Sequence, residues 1–133
     1  MSELEHAQAL LGLSDQDYRA LQGMTDTETF AEAIFGFHAQ QSVEKTLKAW
    51  IASLGIRYPL THDISTLLAI LDEHGCDVEP FWTLVEYNAF AVQFRYELRA
   101  ETEEPLDRLA VINDVRVLWE HVQALIRQTS TTY

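Results

Sequence analysis

Residues 30–54 carry two interlocked apolar ladders whose spacing suits only a helix. Phe30, Ile34 and Phe37 recur at intervals of four and three, and Val43, Leu47, Trp50 and Leu54 do the same further along. Positions spaced this way share one helix face. The first ladder then changes character, because its next members are Gln41, Glu44 and Lys48. A face that begins apolar ends in an amide, a carboxylate and an ammonium, while the second ladder still anchors those turns in a core. The polar groups are therefore expected beside a packed interface rather than on open surface. Lys45 and Lys48 are the only two lysines in the chain. In the plainest reading Glu44 and Lys48 are an i,i+4 pair that stabilises the helix by ~0.2–0.5 kcal/mol, with Gln40, Gln41 and Lys45 solvated around it. In the functional reading the same residues floor a polar pocket suited to an anionic ligand or an RNA phosphate.

Helical ladders run almost end to end, and period-two alternation is absent. Residues 3–12 read as a short helix ending at Gly12. Ser14, with Asp17 three residues on, reads as the cap of a second short helix reaching Gly23. A long helix follows from Thr27 to Leu54, closed by Gly55. Residues 56–61 form a loop, since Pro59 does not continue a helix easily. Thr61 or Asp63 caps the next helix, which keeps Ile64, Leu67, Leu68 and Leu71 inward and stops at Gly75. A helix from Glu79 to Tyr96 has the ladder Phe81, Leu84, Asn88, Ala91 and Arg95, again gaining an amide and a cation. After a turn at residues 101–105, the last helix carries Val111, Val115, Leu118, Val122 and Leu125 to Gln128. The pattern predicts an all-α fold: an antiparallel up-and-down bundle of four main helices plus a short N-terminal helical extension. Its divisions are an extension over 1–26, the bundle over 27–128 and a flexible tail over 129–133.

A chain of 133 residues, 47% of them hydrophobic, supports one domain with one core. No apolar run reaches the ~18–20 residues of a membrane span. The acidic start, Met1-Ser2-Glu3-Leu4-Glu5, lacks the basic and apolar blocks of a signal peptide. Cys76 is the single cysteine, so no internal disulfide forms. Cytoplasmic placement is the expectation. A net charge of −12 opposes sequence-independent nucleic-acid binding, which depends on lysine and arginine displacing counterions. A basic site must then be focal, drawn from Lys45, Lys48, Arg57, Arg95 and Arg99. The five histidines show no HxxxH or HExxH pairing, so neither a metal nor another cofactor is expected.

His62 and Asp63 stand at a predicted helix start, with Arg57 five positions earlier. A histidine titrates near neutral pH and moves protons, and an arginine stabilises charge on a phosphorane. Together they suit metal-independent RNA cleavage. The competing reading is structural: Thr61 and Asp63 cap the helix, His62 packs in the turn, and Arg57 is solvated.

The blocks Phe37-His38-Ala39-Gln40-Gln41 with Glu44-Lys45 and Leu47-Lys48-Ala49, then Tyr58-Pro59-x-Thr61-His62-Asp63-Ile64, resemble the HEPN domain family. Phe94-Arg95-Tyr96 is similar to the Arg-Tyr near the end of that family's third core helix. The resemblance covers roughly residues 27–128, leaving residues 3–23 as a variable addition. It implies a helical bundle, a homodimer, a prokaryotic setting and a separately encoded minimal nucleotidyltransferase as partner, in a toxin–antitoxin-like pair. It also implies one of two activities. The first is a nucleotide- or partner-binding module with Gln41, Glu44, Lys45, Lys48, Asp63, Asn88 and Arg95 at its site. The second is a metal-independent endoribonuclease toxin using an Arg-x(4–6)-His pair, here Arg57 and His62. In the ribonuclease branch that motif is expected ahead of the last helix, where this chain has Arg95 and no histidine four to seven residues on. The tyrosine expected two residues past the histidine is replaced by Ile64.

Overall fold

The computed structural model describes residues 2–91 and 104–132. Among them the elements are α1 (Glu3–Gly23), α2 (Glu32–Ser53), α3 (Ile64–Glu73), a 3₁₀ helix (Glu79–Phe90) and α4 (Arg108–Thr132). All are helical, in keeping with the bundle expected from the ladders. Phe94, Arg95, Tyr96 and Arg99 lie outside the described residues.

The two short helices expected before residue 23 are one continuous helix. Ser14 caps nothing. It is buried inside α1, and its hydroxyl donates back to the Leu11 carbonyl at 2.9 Å, a bond that lets serine sit within a helix. Its own carbonyl accepts from Ser42 Oγ at 3.0 Å, which brings α1 and α2 close at a pair of small residues. Ala7, Leu11 and Leu21 join the core, so α1 packs as part of the bundle.

The α2 helix starts at Glu32 rather than Thr27, because Asp26 captures the preceding turn. Its carboxylate accepts from Glu28 N at 3.0 Å and from Thr29 Oγ1 at 2.5 Å. Leu54 and Gly55 close α2, with Gly55 at φ +75°, a conformation that favours glycine. The α2 helix touches every other element. Ser14 lies against Ser42, and Asp17 against His38, so α1 and α2 are antiparallel. Trp119 Nε1 donates to the Leu11 carbonyl at 3.1 Å, while Arg108 reaches Met24. The α4 helix therefore also runs antiparallel to α1, and it continues past the expected end at Gln128 to Thr132.

The segment from Glu79 winds as a 3₁₀ helix because its apolar period is three. Phe81, Leu84, Tyr87 and Phe90 are its buried residues. Every third residue aligns on one face only at three residues per turn. The expected ladder through Asn88 and Ala91 is thereby replaced, and Asn88 falls beside the core stripe. Phe90 lies against Gly36 of α2, where even a methyl group would enter its ring. At the other end of this stripe Phe81 meets Trp50 edge-on at 6.1 Å, and His121 of α4 stands 5.1 Å from Trp50. These three rings tie the 3₁₀ helix, α2 and α4 together.

Candidate functional site

The α2 ladder does turn polar, and it turns polar inside the molecule. Gln40, Glu44 and Lys48 follow one another at i, i+4 and i+8 beneath the loop that joins α2 to α3. Gln40 is 0% exposed and Glu44 4%. Gln40 Nε2 donates to Glu44 Oε1 at 3.0 Å and to the His62 carbonyl at 3.0 Å. Gln41 Nε2 donates to Gln40 Oε1 at 2.7 Å. Lys48 Nζ donates to Glu44 Oε2 at 3.0 Å. His62, from the loop, donates its Nδ1–H to Glu44 Oε1 at 2.8 Å. One buried carboxylate thus gathers three donors, and the loop is held through both the backbone and the ring of His62. Burial by itself pushes the Glu44 carboxyl up. The hydrogen bonds from Gln40, His62 and Lys48 outweigh it and hold the group below its ordinary value.

A second clamp works at the start of α3. Asp63 is the N-cap, and it accepts from Ser65 N at 2.9 Å and from Ser65 Oγ at 2.6 Å. Asn88 Nδ2 donates to the same Asp63 oxygen at 2.8 Å, while Asn88 Oδ1 accepts from Ile64 N at 2.9 Å. The 3₁₀ helix is thereby stitched to the head of α3. The Ser65 hydroxyl is the main cause of a lowered Asp63 carboxyl; slight burial opposes it and Asn88 adds to it.

Of the expected site residues, the structure brings Gln41, Glu44, Lys48 and His62 into one network. Asp63 and Asn88 form an adjoining one. Lys45 goes elsewhere: its Nζ meets Asp17 Oδ2 of α1 at 2.7 Å, and Asp17 Oδ1 also accepts from His38 Nδ1 at 2.9 Å. Arg57 is exposed and makes no hydrogen bond or ion pair into the Glu44 network. The Glu44–Lys48 pair, set by spacing as a surface pair, has side chains only 6% and 12% exposed. The surface value for such pairs therefore does not apply to it.

Three contributors stand outside the expected set of site residues. Gln40 sits one residue off the ladder. Tyr58 places its ring 5.5 Å from Lys48 Nζ and its hydroxyl 2.6 Å from His6 Nε2. Asp17 was assigned only to a helix cap. No described buried polar side-chain atom lacks a hydrogen-bond partner.

The sign of the pH response follows from Glu44 and Asp63. Both carboxyls are lowered in the folded state, so their stabilisation is present above the ordinary carboxylate range. It is lost as pH falls from about 4 through the lower folded values. The urea midpoint should therefore drop between pH 5 and pH 3. Asp63→Asn, which keeps a capping oxygen but cannot ionise, should make that drop smaller. Superimposable midpoint-versus-pH curves for the two proteins would refute the role given to Asp63.

A helical bundle whose polar seam clamps an interhelical loop is the class that fold and site define. The HEPN domain family model matches residues 7–125, and the chain belongs to that family. The match begins within α1 and ends within α4. No curated protein and no solved structure matches the chain. No helix among the described residues is long and apolar enough to cross a membrane.

Proposed function

We propose that this HEPN protein is a binding module that works beside a minimal nucleotidyltransferase supplied as a separate chain, in a toxin–antitoxin-like pair, and that it holds nucleotide or partner at the loop over residues 55–63. The observation that carries this reading is the internal neutralisation of the seam. Lys48 is committed to Glu44 and Lys45 to Asp17, so the α2 lysines act as supports for a presented loop. The acidic exterior that remains suits a basic protein surface better than a nucleic-acid backbone. The test is a melting curve with and without ATP, alongside co-purification with a co-expressed minimal nucleotidyltransferase. ATP at 100 times its dissociation constant should add about 2.7 kcal/mol. Unchanged melting together with no complex would end this reading.

One observation favours a second reading, a metal-independent endoribonuclease using Arg57 and His62. Glu44 fixes the Nδ1–H tautomer of His62, and the His62 side chain is 67% exposed. Nε2 is therefore left on the solvent side, where a base could take a 2′-hydroxyl proton. This reading expects RNA cleavage in EDTA that disappears in both Arg57→Ala and His62→Ala. Cleavage that survives His62→Ala would exclude this assignment.

A further inference from the structure

The loop has a second face, turned toward α1. There a cavity of about 460 Å³ opens between the first turns of α1 and the end of α2, lined by Glu3, His6, Gly55, Ile56, Arg57 and Tyr58 among others. That volume lies within the range of small-ligand sites. Its chemistry is mixed in a specific way. Arg57 is exposed, and no hydrogen bond or ion pair engages it among the described residues. Glu3 lines the same cavity and sets its carboxylate so close to Gly55 that a Cβ there would lie 3.0 Å from Oε2. Yet no ion pair joins Glu3 to Arg57. Opposite charges thus share one small space without touching each other. His6 and Tyr58 stack at 5.8 Å between ring centroids, with Nε2 and the hydroxyl 2.6 Å apart, and this pair forms a polar wall. Lys48 stands on the Tyr58 ring but is already paired with Glu44, so Arg57 is the cation left to meet a ligand.

A ligand that satisfies this cavity carries an anion for a guanidinium and, a few atoms away, a hydroxyl to donate to a carboxylate. We infer that the cavity between α1 and the loop binds a sugar phosphate, with Arg57 on the phosphate and Glu3 accepting from a sugar hydroxyl. This rests on the nucleotide-binding reading above and names which end of the nucleotide is held, and where. The planar fork of arginine matches phosphate oxygens two at a time. A carboxylate in the same cavity that is not paired with the arginine repels a bare phosphate but accepts from a donor hydroxyl. Glu3 and His6 precede residue 7, where the family match begins.

The test is an amide ¹H–¹⁵N titration of the whole protein with AMP, ribose 5-phosphate and inorganic phosphate in turn. AMP and ribose 5-phosphate should shift Gly55, Ile56 and Arg57, and inorganic phosphate should do so at least tenfold more weakly. Arg57→Gln should weaken all three ligands tenfold or more. Glu3→Gln should weaken AMP and ribose 5-phosphate and leave inorganic phosphate no weaker. Both substitutions are at exposed positions, and unchanged circular dichroism will confirm their folding. AMP binding with shifts elsewhere, indifferent to both variants, overturns the site and leaves nucleotide binding standing. Ribose 5-phosphate binding without AMP binding upholds the site and overturns the nucleotide reading. Inorganic phosphate binding as tightly as the sugar phosphates overturns the inference in favour of a simple anion site. No shift with any of the three overturns both.

Discussion

Glu44→Ala is expected to lower stability by about 3 kcal/mol, or roughly 10 °C in melting temperature for a chain of this size. Lys48→Met should cost distinctly less, about 1 kcal/mol. The asymmetry follows from who is left behind. Without Glu44, the Lys48 ammonium keeps only the Tyr58 ring, 5.5 Å from its centroid, and its side chain is 12% exposed. Gln40 Nε2 and His62 Nδ1 lose an acceptor as well. Without Lys48, Glu44 retains both of those donors. Replacing the pair together, as Glu44→Gln with Lys48→Met, removes both charges and keeps an amide oxygen for Gln40 and His62. That double variant should return to within ~1 kcal/mol of the parent, because buried ion pairs offset little more than their own desolvation. Urea unfolding with an unchanged m-value reads all three. If both single variants stay within ~0.5 kcal/mol of the parent, the pair behaves as a surface i,i+4 pair and the buried seam is refuted.

The helical fold and the polar turn of α2 were legible because both are periodic. Phe30 to Phe37 followed by Gln41, Glu44 and Lys48 is a one-dimensional pattern, and one helix converts it directly into a face. Other features depend on partners far away in sequence. Gln40 lies one position off the ladder, and only the loop folding back 22 residues later gives it the His62 carbonyl. Lys45 looks equivalent to Lys48 in spacing terms. It parts company because Asp17 waits on α1, a segment read as an addition to the bundle. Gly12 and Ser14 are ordinary helix-stop and helix-start signals, and the contact with Ser42 overrides them. The 3₁₀ helix was readable in principle. Phe81, Leu84, Tyr87 and Phe90 are spaced by three throughout, but runs of this length are uncommon, and the 3.6-residue ladder was the stronger expectation. The cavity beside Arg57 combines the start of α1 with a loop 52 residues further on, as between His6 and Tyr58, and no spacing relates the two. Arg108 did leave a signal: a cation in a helix's first turn opposes the helix dipole, which asks for a compensating reason.

That reason sets the second large expectation, for Arg108→Met. Arg108 is 7% exposed at the start of α4. Nη1 donates to the Met24 carbonyl at 2.8 Å and the Asp26 carbonyl at 3.3 Å, and Nη2 donates to the Phe30 carbonyl at 2.7 Å. Its guanidinium carbon lies 5.0 Å from the Phe35 ring centroid. One side chain therefore closes the whole turn between α1 and α2 from beneath. If the helix dipole governed this position, methionine would stabilise the protein by ~0.3–1 kcal/mol. The three carbonyl bonds outweigh that. Hydrogen bonds from a charged donor contribute about 1.5–3 kcal/mol each, and a stranded buried carbonyl costs about 1–3 kcal/mol more. After relaxation of the turn, Arg108→Met should lose about 3 kcal/mol. Arg108→Lys should recover less than half of that, because a single ammonium does not span carbonyls on both sides of the turn. Amide exchange should quicken first at Phe30 and Ile34, whose N–H groups bond within this turn and the first turn of α2, before it quickens in α3. Full recovery by lysine would mean that charge alone matters here. A methionine variant as stable as the parent would mean that the turn closes without its staple.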